Sequence, residues 1–239
     1  MNEPVLILSG TVVTIAVYVL GLRLYRRSGY NSLLHPNTFS MGILILLLLA
    51  SGYSYEEVYQ PAADFISWFL KPAVVVLALP LHRSLGHLLK SRVAILSGVV
   101  AGMLVSALGV LILALAAGLT PVLALSLLPR SITTPMAIET SRTLEALVPV
   151  TVFSVIITGV SGAVAARKLL KLAGVTHPVA MGVAIGTSSH ALGTSRALEI
   201  GPDTGAMSGL ALALCGLISV FFLPLFARFL LYCYAVLPV

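Results

Sequence analysis

The chain has 239 residues, 59% of them hydrophobic and 9% charged, with a formal net charge of +6 and a mean hydropathy of +1.07. Soluble domains carry about 25% charged residues, so this composition excludes an ordinary soluble enzyme or nucleic-acid-binding module. The basic residues stand at the ends of apolar runs, where they set membrane orientation. The runs are long and do not alternate, so the expectation is an all-α integral membrane protein rather than an outer-membrane barrel. Cys215 and Cys233 fall in or near apolar runs and form neither a zinc motif nor a disulfide framework.

A crossing helix needs about 20 apolar residues. The first run, Pro4 to Leu22, has no basic residue before it and Arg23, Arg26 and Arg27 after it. It is expected to be a retained helix with its N-terminus outside, not a cleaved targeting peptide. A second helix is expected over Thr38 to Tyr53, followed by an external loop to Gln60. Pro61 to Leu81 is long enough to cross but is broken by Lys71-Pro72, since proline removes a donor and clashes with the preceding turn. Lys71 falls at mid-span as a candidate functional residue, or at the headgroups if the segment is interfacial. His82 to Arg92 is a basic cytoplasmic loop. Val93 to Leu119 then leads out, with Gly98, Gly102, Ser106 and Gly109 as a small-residue stripe for close helix packing.

Leu147 to Ala166 ends at Arg167, Lys168 and Lys171, so it runs inward. The preceding segment, Pro121 to Ala146, must enter and leave on the outer side. Its expected tip is Pro129-Arg-Ser-Ile-Thr-Thr-Pro135. By the same reasoning Pro178 to Asp203 enters from inside, with a tip at Gly186 to Thr194, before Gly205 to Ala227 leads out. Ala137 to Glu145 matches Ala191 to Glu199 at six of nine positions, 54 residues apart. The expected architecture is therefore a single domain over 1–239 with about six transmembrane helices. Two re-entrant hairpins or broken helices form an inverted repeat, in units 121–166 and 178–227, as in many secondary transporters.

Each tip would present backbone N–H groups at the start of a half-helix, which favours an anion. Ser131, Thr133, Thr134, Ser188, Ser189 and Thr194 add hydroxyls, and Arg130 and His190 add charge, as candidate substrate-binding residues. His190 is the foremost of these, because its titration range permits proton coupling. Its bland alternative is a neutral ring bonded to a carbonyl. Arg142 with Glu145, and Arg196 with Glu199, have i,i+3 spacing and are expected to be structural ion pairs. Glu139 has no partner in the repeat and is a candidate proton carrier or an interfacial carboxylate. Ser188, Ser189 and His190 lack the nucleophile-elbow pattern of a hydrolase, so no enzyme is expected. No cofactor or metal is expected, and the coupling ion is left open between proton and sodium.

Pro129 to Ala137, Gly186 to Glu199 and Gly205 to Ala211 resemble the LrgB/CidB family in order and spacing. Leu70 to Ala73 is also similar, although Lys71 stands where the family has a small residue, commonly glycine. The resemblance implies a multi-pass protein of the bacterial cytoplasmic membrane, beside a smaller LrgA/CidA-type membrane partner. It also implies either of two activities. One is carriage of small monocarboxylates of the pyruvate, glycolate or glycerate class, for which the expectation here is alternating access in a homo-oligomer, a dimer. The other is a holin/antiholin-like pore or regulator of murein hydrolase activity. A cation/proton antiporter dependent on Glu139 is a third expectation.

Overall fold

The computed structural model describes residues 3–29, 34–69, 72, 86 and 92–236, and these are helical with short connections. The chain divides into two compact units, Met1–Val75 and Val76–Val239.

In the first unit α1 (Glu3–Arg27) packs on α2 (Pro36–Ser51) and on α4 (Gln60–Trp68), with the short α3 (Tyr55–Val58) before α4. Close approach rests on two glycines of α1. A Cβ on Gly10 would lie 2.5 Å from Ala62 Cβ, and one on Gly21 would lie 2.9 Å from the Phe39 ring. Thr14 Oγ1 and Tyr59 Oη are 2.8 Å apart across the same contact. The segment expected over Pro61 to Leu81 is described to Phe69 and at Pro72. Lys71, His82 and His87 lie outside the described residues.

The second unit contains α5 (Arg92–Ala116), α6 (Pro121–Leu127), a 3₁₀ turn (Leu128–Ser131), α7 (Thr134–Thr143), α8 (Val148–Leu172), α9 (Pro178–Ile200) and α10 (Pro202–Val236). Proline stands at the first or second position of α6, α7, α8 and α9. There its missing N–H costs nothing and its fixed φ favours the helix start. Among the described residues four helices, α1, α5, α8 and α10, are long and apolar enough to cross a membrane, and α2 is a shorter apolar helix. These correspond to four of the six expected crossings at full length. α8 continues to Leu172, past Arg167 and Lys168, and α10 passes through Pro224 to Val236.

Both segments between the long helices double back. Ser126 of α6 and Ser141 of α7, fifteen residues apart, meet at Thr151 of α8. Thr151 Oγ1 is 2.8 Å from the Ser126 carbonyl, to which it donates, and 2.9 Å from Ser141 Oγ. Within α9 the reversal is sharper. His190 has φ 41° and ψ −139° inside an otherwise helical run. A Cβ on Gly193 would lie 3.4 Å from the Ile185 carbonyl oxygen, whereas eight residues of straight helix would span about 12 Å. Pro178–Ser189 and Ala191–Ile200 are therefore two antiparallel arms. Both flank the start of α10: Gly182 lies against Thr204 and Met207, and Gly205 against Leu198.

Candidate functional site

The two folded-back segments reach the same stretch of α5. At the first tip Ser131 Oγ is 2.9 Å from Ser106 Oγ. Ser106 lies ten residues inside the C-terminal end of α5, about 15 Å along the axis. From the other direction Val183 and Thr187 run alongside Gly98 and Gly102 of α5, where a Cβ would lie 3.1 and 2.5 Å from their side chains. Gly102 and Ser106 are one turn apart, so the tips approach within about 6 Å of each other along this helix. The 3₁₀ turn also packs against α8, α9 and α10. The small-residue stripe expected to serve ordinary helix packing is the bed on which both hairpins lie.

At the first tip the prolines at positions 129 and 135 interrupt the helix over several residues. Ile132 and Thr133 are extended, and α7 starts again at Thr134. Thr133 occupies the N-cap, but its side chain caps nothing. The N–H that an N-cap hydroxyl often binds is absent because Pro135 is at the second helical position. Thr133 is 7% exposed, and its Oγ1 is buried without a hydrogen-bond partner. An orphaned hydroxyl of this kind costs about 1–3 kcal/mol. Beside it, Arg130 donates from Nη2 to the Ser106 carbonyl and to Ser106 Oγ, both at 3.3 Å. Among the described residues no carboxylate pairs with this guanidinium. The tip is thus an uncapped helix N-terminus, a buried unused hydroxyl and a half-buried cation, which together suit a small anion.

The second tip is tighter. Ser189 and His190 are 2% and 3% exposed. The His190 Nε2–H donates to the Val155 carbonyl at 2.7 Å, since a carbonyl can only accept. Gly159 and Gly162 of α8 make room for it: a Cβ on Gly159 would overlap the His190 ring, and one on Gly162 would overlap the Ser189 side chain. Thr194 Oγ1 donates to the His190 carbonyl at 2.9 Å and is 2.9 Å from Ser208 Oγ of α10. Ser188 is exposed and bonds back to the Ala184 carbonyl at 2.8 Å. The arm that begins after His190 also directs its N-terminus to the tip, so two half-helix dipoles converge on one region.

The charged pairs differ from the expectation in one respect. Arg142 pairs with Glu139 at 3.0 Å, not with Glu145. The reason is that α7 ends at Thr143. The Ala146 N–H closes onto the Ser141 carbonyl, and Glu145 takes φ 54° in the left-handed position usually held by glycine. Three residues N-terminal to Arg142, Glu139 is still on the helix. Glu139 therefore loses its standing as an unpaired proton carrier, and with it the antiporter expectation loses its support. Arg196 is paired with Glu199.

Ser106 and Ser208 belong to the site's polar lining but are not among the residues predicted from sequence. Ser106 is hidden within the small-residue stripe, and its one signal is a hydroxyl among glycines. Away from the tips, a cavity of about 520 Å³ in the first unit is lined by Glu3, Glu56 and Asp64 with Phe65 and Trp68. Three carboxylates make it a poor place for an anion.

A family model described as the LrgB-like family matches residues 14–229. Among similar proteins are the antiholin-like protein LrgB of Bacillus cereus (strain B4264) and that of Bacillus anthracis (strain A0248). Each is 34% identical over 221 residues, covering 92% of this chain and 96% of the relative. No solved structure matches the chain.

Proposed function

The chain belongs to the LrgB-like family, and from that premise we propose that it carries small monocarboxylates across the bacterial cytoplasmic membrane by alternating access. In this reading the hairpins re-enter the bilayer from opposite faces, between helices that cross it, and hold one anion at mid-depth. Arg130, Ser131, Thr133 and Thr134 bind its carboxylate from one side, and Ser189, His190 and Thr194 complete the pocket. The observation that carries the reading is Thr133: a buried hydroxyl without a partner, at the uncapped start of α7, three residues after Arg130, which pairs with no carboxylate among the described residues. Non-helical backbone at membrane depth is tolerated where it is buried in protein or lines a wet cavity. Proton or sodium coupling, a dimer and a smaller membrane partner belong to the same proposal.

A second reading has its own support. The relatives are named antiholin-like, and that name speaks for control of lysis by a holin-type pore, not for carriage. Purified protein in proteoliposomes separates the two. The carrier reading expects saturable uptake of labelled pyruvate or glycolate and full retention of an uncharged dye. The antiholin reading expects no saturable uptake, with either dye leakage or suppression of leakage when a pore-forming partner is added. Non-saturable uptake with dye leakage would overturn the carrier reading.

A further inference from the structure

Resting on the anion site proposed above, we propose that the charged outer face of α7, formed by Glu139, Arg142 and Thr143, is the wall of a water-filled entrance leading to the Thr133 tip. α7 packs against α8, α10 and the 3₁₀ turn on one side, where Ala137 and Ser141 are buried. On its other side the Arg142 and Glu139 side chains are 65% and 67% exposed. Glu139 is five residues beyond the helix start, about 7 Å along the axis from the tip. At that depth a solvated ion pair needs water, because charges in a membrane protein face a wet cavity or a partner and not lipid. The ion pair of the second hairpin, Arg196 with Glu199, is only 28% and 25% exposed. Among the described residues the charged face of α7 is thus the more open of the two.

The wall also has a charge order that serves an anion. Arg142 is the outer member of the pair, and the positive end of the α7 dipole waits at the inner end. Removing Arg142 would leave an unopposed carboxylate in the passage. Removing Glu139 would leave an unopposed cation. A pair that only braced α7 would suffer equally from either loss.

Two measurements test this. In the Cys233→Ser chain, with the fully buried Cys215 left in place as the blank, single cysteines are introduced at Ile138, Glu139 and Thr143. Membrane-impermeant thiol reagents carrying a sulfonate or an ammonium group are then added to intact cells from outside. The entrance expects labelling at all three positions, with the sulfonate reagent favoured at Ile138→Cys. Absence of labelling at Glu139→Cys in cells would overturn it, whether lipid, a second copy or the first unit covers the face. Second, the KM for pyruvate in proteoliposomes is expected to rise about two- to threefold in Arg142→Gln and to fall by a similar factor in Glu139→Gln. Equal losses in both variants would assign the pair a structural role. Labelling without any monocarboxylate uptake would leave the entrance standing and remove the carrier reading; uptake without labelling would do the reverse.

Discussion

The two hairpins solve one problem, reversing a chain among apolar helices, by opposite means. The first spreads its reversal over Pro129, a 3₁₀ turn, two extended residues and Pro135. It leaves the Thr133 hydroxyl without a partner and the start of α7 without a side-chain cap. The second turns at a single residue, His190, in a left-handed conformation. A non-glycine residue held there costs about 1–3 kcal/mol. The surroundings hold it through the Val155 bond, the glycines of α8 and the close approach of Gly186 to the backbone of Ser208. Unused polar groups sit at the loosely built tip, and the tightly built tip is nearly satisfied. The difference assigns the first tip the work of holding a ligand and the second the work of closing the pocket.

The largest expected effect tests the tight tip. Gly186→Ala would drive a methyl into the Ser208 backbone, which cannot rotate away as a side chain could. A loss of about 3 kcal/mol or more is expected, read as a steep fall in the thermal midpoint of the detergent-solubilised protein. A midpoint equal to that of the parent chain would mean that α9 and α10 are not so closely apposed. A smaller loss is expected for His190→Ala, about 2 kcal/mol, from the deleted ring and its hydrogen bond to Val155. Its readout is the same midpoint, and an unchanged value would show that the ring does not pin the reversal.

The long helices were legible because lipid requires internally satisfied backbone and a minimum length. Their ends were less so. α8 runs to Leu172 because Arg167, Lys168 and Lys171 can extend their charged heads to water while the helix continues. The reversals were legible in outline from the repeated Thr-Ser-Arg motif and the change of side implied by the basic residues. That one of them turns on His190 alone was not, since no proline or glycine marks that position and only packing by distant glycines permits it. Glu145 shows the same limit. Its spacing from Arg142 fits a helix pair, but nothing in the local sequence announces that α7 ends before it. Ser188 stands two residues before His190 in sequence and is nonetheless exposed, because near neighbours at a helix tip point in different directions.

The smallest expected effect on stability carries the most information about function. Thr133 Oγ1 has no hydrogen bond to lose, so Thr133→Val is expected to stabilise the folded protein by about 1 kcal/mol, the low end of what an orphaned hydroxyl costs. Thr133→Ser keeps the hydroxyl. The decisive measurement is the thermal midpoint of the purified protein with and without millimolar pyruvate or glycolate, for the parent and both variants. Stabilisation by the anion in the parent and in Thr133→Ser, absent in Thr133→Val, is the predicted result. Equal stabilisation of all three, or of none by either anion, would contradict the anion site at the first tip.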